Sequence, residues 1–197
     1  MTVSNAMQAN TRLRRRSVRG MRLHWPLLLI LPIFVALGVL YSVVTPVFEV
    51  LDEPMHFRYA KRLADGEGLP TSTPTQDSWE QAQAHQPPLY YAVGALLIAP
   101  IDTGPSDTLY EPNPFSASGM PHAPSNKNAV LHRPDEQFPY RGVSLAVHLL
   151  RWFSVLCSAG TVVFAYLSAL QIAPRRHDIA TGTAALTAFN PQFLFLS

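Results

Sequence analysis

The run LHWPLLLILPIFVALGVLYSVVTPVF, residues 23–48, contains no Asp, Glu, Lys or Arg. A helix needs about 20 mostly apolar residues to cross ~30 Å of hydrocarbon, and this run is long enough. Residues 152–174 and 179–197 are free of charge in the same way. A helix packed on a soluble core alternates apolar and polar faces; these runs do not. The three together predict an all-α polytopic membrane protein. Its spans are expected over 23–45, 145–172 and 179–197. The composition agrees, with 48% hydrophobic and only 14% charged residues.

Arginines precede the first run, so a cleaved signal peptide competes with a retained anchor. The run exceeds the roughly 7–15 apolar residues of a signal peptide, and no A-x-A-like site follows. A retained helix is the better reading. Six arginines (Arg12, Arg14, Arg15, Arg16, Arg19 and Arg22) and no acid stand in residues 1–48. Basic residues beside a span stay inside, so residues 1–22 read as a cytoplasmic tail. A nucleic-acid patch is the other reading of RLRRRSVRGMR; topology alone accounts for it, and no nucleic-acid partner is expected. Residues 46–141 hold twelve acids against six Lys and Arg, so the loop 46–142 is expected outside. The link 173–178, APRRHD, carries Arg175 and Arg176 and is expected inside. Cys157, the one cysteine, precludes an internal disulfide and reads as a small apolar residue.

Fourteen of the eighteen prolines lie in residues 46–141, which limits regular helix there. Two pieces stand out. In the first, Asp52 suits an N-cap, Pro54 a first turn, and Gly66 and Gly68 a stop. A helix over 53–65 follows, with Met55, Tyr59 and Leu63 as an apolar stripe and Arg58, Lys61, Arg62 and Asp65 polar. It reads as an amphipathic helix lying on the membrane surface. The second, HQPPLYYAVGALLIAPI, has an apolar part of about 15 residues, short for a span. Crossing inward there would put the acidic loop inside and APRRHD outside, so 87–100 reads as a juxtamembrane helix. A short span is the alternative. The chain ends at Ser197 inside the third apolar run, as an N-terminal fragment of a longer polytopic protein would.

Asp52 and Glu53 lie where the first helix ends and the surface helix begins. Ionisable groups at such depth are usually functional or paired. Capping offers another account: Asp52 caps the helix and Glu53 complements its dipole. His56 shares a face with Asp52, Arg58, Lys61 and Arg62 follow, and His85 opens the second piece. An acid that accepts a proton, beside cations that hold a phosphate, suits transfer of a sugar from a lipid phosphate. Lys and Arg at an interface also snorkel or bind headgroups. Other polar candidates are His132, Asp135 and Glu136 in LHRPDE, read as metal ligands or a solvated loop, and Arg141, His148 and Arg151 near the second span. Arg151 is expected to pair with an outer-loop acid or to reach headgroups. Tyr90, Tyr91 and Trp152 read as interfacial aromatics. Asn190–Pro191 suggests a local break in the third span.

The ordered set DEPMHFRYA, HQPPLYY, RGVSLAVHLLRWFSVLCSAGTVVFAYLSAL and AALTAFNPQFLFLS resembles the start of a GT-C-type membrane glycosyltransferase. It is most similar to bacterial relatives of the protein O-mannosyltransferase and aminoarabinose-transferase group, over about residues 23–197. The resemblance implies a polyprenyl-phosphate-linked sugar as donor, an acceptor hydroxyl of unknown identity, and the bilayer of a bacterial cytoplasmic membrane. It implies that Asp52 acts as base or helps bind a divalent metal ion, with Glu53 as the second acid. His56, Arg58, His85 and Gln86 are then the candidate substrate or phosphate contacts. The chain departs from the family pattern twice. His56 stands nearer the acids than Arg58, and Gln86 stands where some relatives have a Lys, which leaves only a protonated His85 to supply charge there. A non-catalytic membrane anchor or assembly module is the alternative.

Overall fold

In the computed structural model residues 25–50, 52–70, 83–105, 111–116, 122 and 128–196 are described. The basic tail and parts of the 46–142 loop lie outside them. Among the described residues the regular structure is helical, apart from one isolated bridge between Pro112 and Val130. Six helices follow in order: α1 (Trp25–Val44), α2 (Glu53–Ala64), α3 (Pro88–Ile98), α4 (Gly142–Ile172), α5 (His177–Ala188) and α6 (Pro191–Leu196).

Two of them, α1 and α4, are long and apolar enough to cross a membrane. Their apolar stretches are only 28% and 22% buried, unlike the mostly buried core helix of a soluble domain. Leu28, Leu29, Ile33, Leu40 and Val44 of α1 point outward, as do Leu156 and Phe164 of α4. At 31 residues, α4 is about 46 Å long at 1.5 Å per residue. Its start at Gly142 lies three residues before the expected one. The third apolar run is not one helix. Phe189 closes α5, and the Asn190 side-chain oxygen accepts the N–H groups of Gln192 (3.0 Å) and Phe193 (3.3 Å). Asn190 thus caps α6, and Pro191 takes its first position, where a missing N–H costs nothing.

Two clusters of buried side chains hold the helices. One joins Leu27, Ile30 and Phe34 of α1 to Val162, Tyr166 and Ala169 of α4 and to Ala180, Ala184 and Ala188 of α5. The alanines let α5 lie close. The other gathers Phe57, Tyr59 and Ala60 of α2, Tyr91 and Ile98 of α3, Ala146, Val147 and Leu150 of α4, and Val130 of the loop. The burying face of α2 is Phe57, Tyr59, Ala60 and Lys61, whereas Met55 and Leu63 are only half-buried. The Tyr59 ring stacks on Tyr91 at 3.8 Å, and Phe57 meets Phe48 edge-on at 5.5 Å. So α2 packs on α3. Phe57 was hidden between His56 and Arg58 in sequence, and its large ring turned the helix. Lys61 is buried with its ammonium 2.8 Å from Asp65, so it is not on the polar face. Gly66, at φ +79°, ends α2 in the left-handed conformation that suits glycine.

The joint between α1 and α2 is polar. Pro46 has no N–H, so the Ser42 carbonyl lacks the donor that would continue the helix. Arg151 of α4 supplies it. Its Nη1 donates to the carbonyls of Ser42 (2.7 Å) and Thr45 (2.7 Å), and Nη2 to that of Pro46 (3.0 Å). Its Nε and Nη2 donate to the two carboxylate oxygens of Glu53 at 2.5 and 2.8 Å. All five guanidinium N–H groups are therefore used. Glu53 also accepts the N–H of Phe48 at 2.7 Å, which holds Phe48 at a φ of +66°. Asp52 takes the N-cap position of α2 without a side-chain capping hydrogen bond, and Glu53 stands in the first turn, as the capping account has it.

A second polar clasp ties the segment before α4 to the end of α1. Glu49 accepts the N–H groups of Ala129 (2.9 Å) and Val130 (3.2 Å). His132 lies between Glu49 and Glu136, with each ring nitrogen 2.8 Å from a carboxylate oxygen. A neutral imidazole has one N–H, so only the charged ring donates to both. Burial opposes that charge, but the hydrogen bonds and charges of Glu136 and Glu49 outweigh it and raise the pKa of His132.

A group with a raised folded pKa contributes stability that is complete below its unfolded value, about 6.5 for His, and is lost as pH rises through the folded one. The unfolding temperature of the chain in detergent should accordingly fall as pH rises from about 6.5, and His132→Gln should flatten that fall. A second expectation concerns the α1–α4 crossing. A Cβ on Gly38 would lie 2.8 Å from Val155 Cγ2, and β-branched Val155 cannot swing aside. Gly38→Ala should cost about 1–3 kcal/mol in a thermal or denaturant melt.

Candidate functional site

The joint at Arg151 opens onto a cavity of about 870 Å³, within the roughly 300–1,000 Å³ of small-molecule sites. It is bounded by the end of α1 (Gly38, Tyr41, Ser42 and Thr45), the start of α2 (Asp52, Glu53, His56 and Phe57), the start of α3 (Pro87 to Val93) and the first half of α4 (Val147 to Ser158). The walls are mainly apolar and aromatic, and each bounding element adds polar groups, among them Ser42, Asp52, Gln86 and Ser154. Proline places the part where Asp52 stands. Pro46 turns the chain out of α1, Pro54 starts α2, and Pro87 and Pro88 start α3 beside it.

Asp52 stands at the exposed rim with 54% of its side chain accessible, its Oδ2 3.5 Å from His56 Nε2. The other ring nitrogen of His56, Nδ1, is 2.6 Å from the Tyr91 hydroxyl. The two rings lie nearly parallel, 8° apart with centroids at 5.8 Å. Tyr91 is 3% exposed, and burial, then its neighbours Tyr90, Tyr59 and Asp52, push its phenol up to about 12. Next to it the Tyr90 hydroxyl meets Ser154 Oγ at 2.6 Å. Burial raises the Tyr90 pKa as well, against the lowering effect of that hydrogen bond. Both phenols stay protonated at neutral pH and act as donors or neutral walls.

Of the six residues singled out in sequence, Asp52, Glu53, His56 and Gln86 line the cavity, and Arg58 and His85 do not. His85 is exposed, and its Nε2 lies 3.2 Å from the Gln86 side-chain nitrogen. Glu53 serves the Arg151 joint with both oxygens, so its hydrogen bonds neither orient Asp52 nor turn toward a shared metal. Tyr91 and Ser154 belong to the site although nothing singled them out as such. The pairing of Tyr91 with His56 spans 35 positions, and no local pattern reports it. Tyr90 and Tyr91 are accordingly cavity residues with polar partners.

Among the described residues, no group of three His, Cys, Asp or Glu side chains converges as a metal site. His132, the histidine of LHRPDE, is engaged in the clasp with Glu49 and Glu136. At the rim Asp52 offers one carboxylate, and both nitrogens of His56 face other partners. That donor set does not cage a metal. It fits an ion of the magnesium kind, which keeps several waters and takes one or two carboxylates plus substrate phosphates.

The formal charges of the lining are Asp52, Glu53 and Arg151. Glu53 and Arg151 compensate each other, which leaves the negative charge of Asp52. The arrangement suits a ligand with a long apolar part along the helices and a polar head at Asp52. Set against known proteins, the chain matches no family model, no curated protein and no solved structure.

Proposed function

We propose that this chain forms the donor-binding part of a membrane glycosyltransferase, one that moves a sugar from a polyprenyl phosphate to an acceptor hydroxyl. The observation that carries the reading is the cavity itself. One part of its lining is apolar, with Leu89, Val93, Val147, Leu150 and Phe153, and the other is polar, with Asp52 at the rim. An isoprenoid tail matches the first part, and a sugar with its acceptor hydroxyl matches the second. In this reading α1 and α4 cross a bacterial cytoplasmic membrane, the Arg-rich tail lies inside, and α2, α3 and the loop lie outside. The uncharged stretch of α4, Trp152 to Ile172, is about 31 Å long, and Arg151 then sits at its outer edge.

Asp52 is the base in this proposal. It is exposed enough to meet an acceptor hydroxyl, and an acid there takes the proton as the sugar moves. The anionic phosphate meets no uncompensated positive charge among Asp52, Glu53 and Arg151. A divalent ion held by Asp52, waters and the phosphate itself would supply that charge. His56 and Gln86 stand beside the head group.

A non-catalytic anchor or assembly module is the second reading. It draws on the commitment of Arg151 to Glu53, which leaves that guanidinium to structure rather than to substrate.

Cys157 lines the cavity and reports on its occupancy. With the chain in lipid nanodiscs, a polyprenyl phosphate plus magnesium should slow alkylation of Cys157 several-fold. Asp52→Asn should remove the magnesium-dependent part of that protection. Alkylation that proceeds at the same rate with and without polyprenyl phosphate would overturn the donor reading and leave the anchor. Where sugar transfer itself is assayed, Asp52→Asn should lower it by about 10²-fold or more.

A further inference from the structure

The rim holds a chain of three side chains from two helices: Asp52 and His56 on α2, and Tyr91 on α3. His56 Nε2 faces Asp52 Oδ2 at 3.5 Å, and His56 Nδ1 faces Tyr91 Oη at 2.6 Å. A carboxylate only accepts hydrogen bonds, a phenol donates or accepts, and a neutral imidazole does one at each nitrogen. Because the Tyr91 phenol is held up to about 12, its proton stays on oxygen at neutral pH. Of two arrangements for a neutral His56, one satisfies every contact. Tyr91 donates to Nδ1, and the Nε2 proton points at Asp52. In the reverse tautomer Tyr91 would accept from Nδ1, and the bare Nε2 lone pair would face the Asp52 carboxylate.

We infer that Tyr91 is a positioning residue, which together with Asp52 fixes His56 as its Nε2–H tautomer, with that N–H facing Asp52 at 3.5 Å. The inference deepens the proposed site and rests on the reading of Asp52 as its base. His56 is then neither the base nor a phosphate contact, since its acceptor nitrogen is occupied by Tyr91 and its proton by Asp52. The imidazole instead faces one oxygen of Asp52 and leaves the other open to the divalent ion or the incoming hydroxyl. A base oriented by a second group, itself oriented by a third, is the general logic of activated sites. The hydrogen bond is kept by packing as well as by polarity. The Tyr91 ring is clamped between Tyr59, stacked at 3.8 Å, and Tyr90, edge-on at 5.3 Å, so it cannot swing from His56 without opening α2 from α3.

The test is the nitrogen spectrum of the side chain. The chain is labelled with 15N-histidine in micelles, above the pH at which His56 loses its charge, and His56 is assigned by its loss in His56→Gln. The expected spectrum shows a protonated Nε2 and an unprotonated Nδ1 displaced by hydrogen bonding. Tyr91→Phe keeps the stacked ring and removes only the hydroxyl, so Nδ1 should move to the position of a free, unprotonated ring nitrogen. A wild-type spectrum with the proton on Nδ1, or an even mixture of tautomers, would overturn the inference. So would an Nδ1 resonance that Tyr91→Phe leaves in place. Should that variant fail to fold, 3,5-difluorotyrosine at position 91 replaces it. A more acidic phenol should displace Nδ1 further, and an unmoved resonance again overturns the inference. No sugar donor enters the measurement, so its outcome is separate from that of Cys157 protection.

Discussion

Arg151 holds the α1–α2 joint through five hydrogen bonds, and the cavity depends on that joint. The cause is covalent: Pro46 has no N–H, so the helix that ends there leaves Ser42 with an unmet carbonyl. An orphan carbonyl away from water costs of order 1–3 kcal/mol, and a guanidinium is the side chain with enough donors to meet three carbonyls and a carboxylate together. The same contact neutralises Arg151 on a helix whose following residues carry no charge. It also attaches the first residue of α2 to the end of α1. Asp52, the residue before, is thereby set at the rim.

The long helices were legible in sequence because their signal is local and large. The uncharged run at 23–48 announces α1 within a few residues, and that at 152–174 announces α4 apart from its first turns, Gly142 to Arg151. The starts of α2 and α3 were legible through proline. In the third run Asn190–Pro191 announced the break, where a side-chain cap and a missing N–H start a new helix. The face of α2 misled. An i, i+4 stripe weighed Met55 and Leu63 equally with Tyr59, whereas packing followed the largest rings, Phe57 and Tyr59.

The site was half legible. Asp52 and His56 are neighbours on one helix, so a four-residue spacing revealed them. Arg151 and Glu53 are 98 positions apart, and a charge near a span announces only that it needs a partner. Tyr91 carried no signal, since a tyrosine beside prolines at a membrane edge has an ordinary interfacial reading. What separates the two acids is likewise tertiary: one is consumed by the joint, and the other remains at the opening.

The account stands on the coupling between Glu53 and Arg151, and a double-mutant cycle measures it directly. Glu53→Gln, Arg151→Met and the double variant are compared with the parent by thermal unfolding in detergent. Each single variant strands a partner, so the double variant is expected to be more stable than the sum of the two by about 1–3 kcal/mol. Strictly additive losses would contradict the joint, and with it the placement of Asp52 at the cavity rim.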